Sequence, residues 1–130
     1  MEENIIRFDS IIFDKDHKTF TILNGTEGTY SYSDIDRCSV QCEDSKYRGK
    51  TTPFKHVVLS GVTMVILTFE PSIYVGVKIT MKNGDILGVY VSKEKTRMNT
   101  DLYHKDKEEA DKIKRLLDKA IEKYATPDNA

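Results

Sequence analysis

Hydrophobic and polar residues alternate over much of the first ninety positions, which is the pattern of half-buried β-strands. IIRFDSIIFD and TFTIL, separated by the polar KDHK, predict two strands around a turn at residues 15–18. TYSYSDIDRCSVQCE predicts a long strand with a kink at residues 34–36. Past the kink, Cys38, Val40 and Cys42 share one face, and Glu43 lies on the opposite face.

The longest uncharged stretch, VVLSGVTMVILTF at residues 57–69, is too short to cross a bilayer as a helix, which takes about 20 apolar residues. Its many β-branched residues predict a buried strand instead, with a bulge or bend at Ser60-Gly61. The opening MEENIIRF has acidic residues where a signal peptide has basic ones. We therefore expect a cytoplasmic protein.

YVGVKITMKNGDILGVYVS predicts a hairpin closed by Asn83-Gly84 in a two-residue type I′ turn, with Met81 opposite Ile86. In this register the second face of the hairpin carries three aliphatic residues, Leu87, Val89 and Val91. The chain itself or a second protein must cover them, so they form a candidate protein interface. An open edge of the sheet is a further candidate, for pairing with another chain.

One amphipathic helix follows the strands. Asp106 and Glu109 are spaced as in a capping box and predict its start. The apolar stripe consists of Ala110, Ile113, Leu116, Leu117, Ala120, Ile121 and Tyr124. The other face predicts ion pairs four residues apart, Glu108 with Lys112 and Asp111 with Arg115. We expect one domain over residues 1–125 and a flexible tail at 126–130.

Composition narrows the function classes. Twenty basic and 21 acidic side chains give a net charge of -1, so we expect no nucleic-acid partner. Cys38 and Cys42, on one face of a strand, are separated by about 13 Å, too far for a disulfide. We interpret them as reduced core residues, because no further metal ligands lie near them in the sequence.

Two basic segments are candidates for binding phosphates or an anionic lipid surface. The basic loop, residues 46–56, contains no acid and carries four cations, Lys46, Arg48, Lys50 and Lys55. The second basic cluster consists of Lys93, Lys95 and Arg97. A solvated surface is the alternative for both, and folding decides whether they meet.

Catalytic chemistry has no support in the sequence. The carboxylates of DKDH and SDID fall at a turn and a kink, where Asp is favoured for bonding the backbone. His17, His56 and His104 are far apart, and no nucleophile motif, phosphate loop or metal motif accompanies them. We expect no catalytic residue, metal or cofactor.

TYSYSDI, the KNGDILGVYV hairpin and the closing EEADKIKRLLDKAI helix resemble the small bacterial pleckstrin-homology-like (PH-like) domains. The resemblance implies a mainly β fold, a partly open antiparallel β-barrel of about six to seven strands with one C-terminal α-helix. It also implies a non-catalytic binding or self-assembling module. Eukaryotic relatives bind phosphoinositides through a basic loop between the first two strands, where this chain has Asp14 and Asp16.

Together these observations predict a non-catalytic module that binds a protein partner or a second copy of itself. The alternative is a peripheral membrane or phosphate-binding domain that acts through the basic loop. An enzyme is the third hypothesis.

Overall fold

The computed structural model describes residues 4–58, 72–98 and 100–125. The described elements are β1 (Ile5–Arg7), β2 (Ile11–Asp14), β3 (Thr19–Ile22), β4 (Gly28–Ser31), β5 (Ile35–Asp44), β6 (Ile73–Met81), β7 (Ile86–Tyr90) and α1 (Asp101–Ala125), with 3₁₀ turns at Tyr32–Asp34 and Ser45–Tyr47. The buried strand predicted at 57–69 lies outside the described residues beyond Val58, and so does the tail at 126–130.

Two antiparallel sheets and the C-terminal helix make up the described fold, which is therefore mainly β. One sheet has the order β1-β2-β3-β4 and the other β5-β6-β7. Helix α1 packs against β5, β6 and the Tyr32–Asp34 turn. Buried residues of both sheets and of the helix form one hydrophobic cluster, with Phe20, Val77 and Ile113 among its fully buried members.

The two segments predicted as single strands are each divided. IIRFDSIIFD forms the hairpin β1–β2 rather than one strand, with Arg7 opposite Ile12 and a turn between them. In the third segment the predicted kink is the Tyr32–Asp34 turn, at which the chain passes from the first sheet to the second. The side chain of Ser31 begins this turn by accepting a hydrogen bond from the Ser33 N–H.

The register predicted for the β6–β7 hairpin is wrong by one residue. Ile86 lies opposite Thr80 rather than Met81, and the Met81 N–H donates to the Asp85 carbonyl. The loop therefore has three residues, 82–84, of which Gly84 alone takes a positive φ, 96°. A two-residue type I′ turn needs positive φ at both central residues. Here the side chain of Asn83 instead accepts the Asp85 N–H at 2.9 Å.

Helix α1 begins six residues earlier than its sequence pattern predicts, with its cap at Thr100 rather than Asp106. Thr100 precedes it as the cap, since its hydroxyl accepts the Tyr103 N–H at 3.2 Å. Asp106 instead accepts a hydrogen bond from the Ser92 hydroxyl at 2.8 Å. The predicted stripe faces the core from Ala110 to Ile121, and the side chain of Tyr124 lies outside the described part. The ion pairs differ from those predicted and join Lys107 to Asp111 and Lys114 to Asp118.

The loop between β3 and β4 ties the two sheets together. The Thr26 N–H donates to the Gly88 carbonyl, and the Tyr90 N–H donates to the Asn24 carbonyl, so residues 24–26 pair with the edge of β7. The close approach depends on Gly25, at φ 134°, because a Cβ there would overlap the Gly88 carbonyl oxygen. The sequence suggested an open sheet edge as a candidate for pairing with another chain, and at these positions the edge of β7 is occupied by the chain itself.

Replacing Gly25 tests this contact. Gly25→Ala introduces the overlapping Cβ, and we expect the free energy of unfolding to fall by about 3 kcal/mol. Gly49→Ala is the matched control, because Gly49 also has a positive φ but open space around it, and should lose about 1 kcal/mol. Urea denaturation measures both, and equal losses would contradict close packing of residues 24–26 on β7.

Candidate functional site

The basic loop packs onto the outer face of the second sheet. Phe54 is 1% exposed, and its ring stacks on Tyr90 with centroids 4.9 Å apart. Two glycines make room for the loop: a Cβ on Gly76 would lie 2.8 Å from the Phe54 ring, and one on Gly88 would lie 2.7 Å from Pro53. The face of the β6–β7 hairpin that carries Gly76, Gly88 and Tyr90 is therefore covered by the basic loop, while the opposite face meets the core.

A buried carboxylate fastens the loop to the sheet. Glu43 is 0% exposed, although strand alternation places it on the face opposite the core residues. One of its oxygens accepts the Tyr90 hydroxyl at 2.5 Å, and the other accepts the Phe54 N–H at 3.1 Å. Burial, and then the hydrogen bond and charge of Glu43, raise the pKa of Tyr90, so the phenol keeps its proton. These two hydrogen bonds replace the solvation that the Glu43 carboxylate loses on burial.

Arg48 belongs to this packing rather than to a free anion site. Its guanidinium lies 4.3 Å from the centre of the Tyr90 ring and 4.5 Å from that of Tyr74. It also donates to the side-chain oxygen of Asn24 at 2.7 Å. Of the four loop cations predicted to bind anions, Lys46, Lys50 and Lys55 are exposed, and Arg48 is held in the structure.

The two basic clusters approach each other only in part. Ile73 pairs with Asp44 on one side and Thr96 on the other, so those two residues are about 10 Å apart. Lys46 lies two residues after Asp44, and Lys95 and Arg97 are the neighbours of Thr96 in the sequence. Lys93 donates instead to the Asp9 carboxylate at 2.6 Å.

The predicted protein interface is inside the fold. Leu87, Val89 and Val91 are 5%, 0% and 6% exposed and belong to the hydrophobic cluster. The one-residue change of register explains the correction, because it places Leu87 opposite Ile79 and Val89 opposite Val77, on the core face.

A cleft of about 260 Å³ opens between the β2–β3 turn and the last turns of α1. We call it the lysine cleft. Among the described residues, its lining combines five that are apolar or aromatic, Ile6, Phe13, Tyr32, Leu116 and Ala120, with four lysines, Lys15, Lys18, Lys119 and Lys123. Sequence analysis missed this site, because its lysines are interspersed with acids and come from opposite ends of the chain.

The lysine cleft concentrates positive charge. In the described part of the chain, none of its four lysines forms an ion pair. The two nearby turn carboxylates have other partners: Asp14 binds the His17 ring at 2.8 Å, and Asp16 accepts the Asn4 amide at 3.2 Å. Hydrogen bonds from His17 lower the pKa of Asp14, which stays ionised. The cleft can therefore offer four amines to an anion.

The cysteines of β5 are free thiols on the core side of the strand. Burial raises the pKa of Cys42 to about 11. Burial and the nearby Asp118 carboxylate, which accepts the thiol hydrogen at 3.4 Å, raise the pKa of Cys38 to about 12. Within the described ranges, no three His, Cys, Asp or Glu residues come together in a way that could hold a metal ion.

No protein-family model, curated protein or solved structure matches this chain. In the described part of the chain, no helix combines the length and the apolarity that crossing a membrane requires.

Removing one hydroxyl tests the role of the buried carboxylate. Tyr90→Phe leaves a Glu43 oxygen without its donor, so we expect unfolding to become easier by about 3 kcal/mol. Tyr74→Phe is the matched control and should change stability by less than about 0.5 kcal/mol. A double-mutant cycle with Glu43→Gln, measured by chemical denaturation, should give less than additive losses. Additive losses would mean that the two groups are not coupled.

The raised pKa values of Cys38 and Cys42 predict that these thiols react slowly with a disulfide reagent. Reactivity follows the thiolate fraction, so at pH 8 native Cys42 should react about a hundredfold more slowly than in the unfolded chain, whose thiol pKa is near 9.0. Native Cys38 should be slower still. Reaction with a disulfide reagent, followed with and without guanidinium chloride, measures the ratio. Equal rates in the two conditions would contradict the burial of these thiols.

Proposed function

We propose that this protein is a cytoplasmic, non-catalytic binding module that holds an anionic ligand in the lysine cleft. The observation that carries the proposal is the convergence of Lys15 and Lys18 from one turn with Lys119 and Lys123 from the helix. Because none of the four is neutralised by an acid in the described residues, an anion entering the cleft would gain their combined attraction.

A PH-like fold is part of the proposal. The seven described strands and the C-terminal helix are the elements that the sequence resemblance implies. The pairing of residues 24–26 with β7 joins the two sheets, which supports the partly open barrel that the resemblance implies. The ligand site proposed here includes the turn after β2, which the resemblance marks, and adds the helix as a second wall.

A second candidate function is the binding of an anionic surface by cations near the start of β6. Ile73 brings Lys46 toward Lys95 and Arg97, and all three side chains are exposed. Binding a protein partner or a second copy remains a hypothesis, although Leu87, Val89 and Val91 are buried and cannot serve it in this fold.

Charge reversal separates the two anion sites. We expect Lys119→Glu/Lys123→Glu to weaken anion binding by about thirtyfold or more, since each cation contributes about 1 kcal/mol. Lys46→Glu/Lys50→Glu changes the charge equally on the basic loop and should leave binding within about twofold. Titration calorimetry with pyrophosphate and decanoate, and co-sedimentation with phosphatidylglycerol vesicles, provide the measurements.

The pattern of loss identifies the site. Loss confined to the cleft variant supports the proposal, and loss confined to the loop variant transfers the function to the second candidate. Failure of the unaltered protein to bind any of the three probes would overturn both.

A further inference from the structure

We propose that the ligand of the lysine cleft is a single-chain anionic amphiphile, with its charged head among the lysines and its apolar end on the floor. This inference rests on the proposed function and adds the chemical class of the ligand. It follows from the division of the lining into cations and apolar groups.

The floor is apolar and structurally fixed. Phe13 belongs to β2 and is 2% exposed, while Ala120 and Leu116 lie one helical turn apart on α1. Tyr32 opens the 3₁₀ turn that joins the two sheets, and its ring stacks on Phe20. Ile6 and Leu116 of the lining are only partly buried, so an ionic ligand without an apolar part would leave them in contact with water, whereas a hydrocarbon group would cover them.

The cations stand at both sides of that floor. Lys119 and Lys123 are four residues apart and therefore share one face of α1, about 6 Å from each other along the axis. Lys15 and Lys18 belong to the turn on the opposite wall, and the Lys18 carbonyl accepts the Tyr32 N–H at 2.9 Å. Lysine stems lie well against apolar surface while their amines reach outward, so the head of the ligand belongs at the rim.

Other charges near the rim oppose an anion but do not outweigh the lysines. The carboxyl end of α1 carries a partial negative charge of about one half, Asp14 ends β2, and Asp16 lies in the turn that follows. Glu122 adds one carboxylate on the last turns of the helix, and it has a partner of its own. The amines line the cleft directly, whereas these acids are not among its lining residues.

The size of the cleft restricts the apolar part. Its volume of about 260 Å³ falls just below the roughly 300–1,000 Å³ that is typical of small-molecule pockets. One acyl chain end or one ring fits such a space, with the rest of the ligand outside. A lipid with two chains would remain in its bilayer and offer the lysines only its head. We therefore assign the cleft to a monomeric amphiphile rather than to a membrane surface.

Four probes separate these chemistries in titration calorimetry of the full chain. Decanoate, below its micelle concentration, carries both head and tail, 1-decanol carries the tail alone, and pyrophosphate carries the charge alone. Decyltrimethylammonium reverses the charge. We expect decanoate to bind about a hundredfold more tightly than pyrophosphate, because several methylene groups become buried. Decanol should bind about thirtyfold more weakly than decanoate, and the cation weaker still.

Two variants locate the binding. Lys119→Gln/Lys123→Gln alters exposed side chains only, and we expect decanoate to bind about thirtyfold more weakly. Leu116→Gln makes the half-buried floor polar and should weaken decanoate about tenfold, with pyrophosphate unchanged. The melting temperature of each variant shows that it is folded, and the lysine variant keeps the test available should the floor variant fail to fold.

Each outcome distinguishes this inference from the proposed function. Pyrophosphate binding as tightly as decanoate, with loss in the lysine variant, would overturn the amphiphile and leave an anion-binding cleft. Binding to phosphatidylglycerol vesicles without binding to decanoate, again lost in the lysine variant, would do the same and indicate a lipid surface. Decanoate binding that is equal in the unaltered protein and the lysine variant, or no binding of any probe, would overturn the lysine cleft as a site.

Discussion

The fold outside the main core depends on one desolvated carboxylate. Removing a carboxylate from water is costly unless hydrogen bonds replace the lost solvation. Glu43 receives them from the Tyr90 hydroxyl and the Phe54 N–H, which join β5, β7 and the basic loop at one point. Phe54 is also held by stacking on Tyr90 and by its close fit over Gly76. Together with the hydrogen bond to Glu43, these contacts fix the position of the basic loop on the sheet.

The cations of the chain have different roles in this structure. The guanidinium of Arg48 contacts two tyrosine rings and donates to an amide oxygen, and these contacts stabilise the loop. Lys93 is neutralised by Asp9. The lysine cleft differs because its amines have no such partner in the described ranges and surround an apolar floor. Local charge density in the sequence is therefore a poor guide to which cations lack a partner, since Arg48 of the densest basic segment is structural.

Strand and helix patterns allowed much of the fold to be predicted. The core face of α1, including Ile113 and Leu117, follows from helical spacing, and the single face shared by Cys38 and Cys42 follows from strand alternation. The mainly β architecture with a C-terminal helix follows from the same patterns. These features depend on neighbours in the sequence, so the sequence contains their signal.

The rest depends on pairings that no local pattern specifies. A choice between two-residue and three-residue loops at Asn83-Gly84 decides which face of β7 is buried, and the dipeptide suits both. Strand alternation predicts that Glu43 is exposed, and it is buried because the basic loop and Tyr90, 47 residues away, cover it. The cleft joins Lys18 to Lys119 across most of the chain. In such a case sequence periodicity describes each element but not the space between elements.

The pairing of residues 24–26 with β7 has a consequence for synthesis on the ribosome. These contacts join residues more than sixty positions apart, so they form only after a long loop has closed. The loop between β3 and β4, however, is synthesised first and is already present when β7 emerges. The backbone groups of β7 at Gly88 and Tyr90 therefore meet an intramolecular partner as soon as the strand forms. The order of the chain thus shortens the time in which this edge could pair with another nascent chain and begin aggregation.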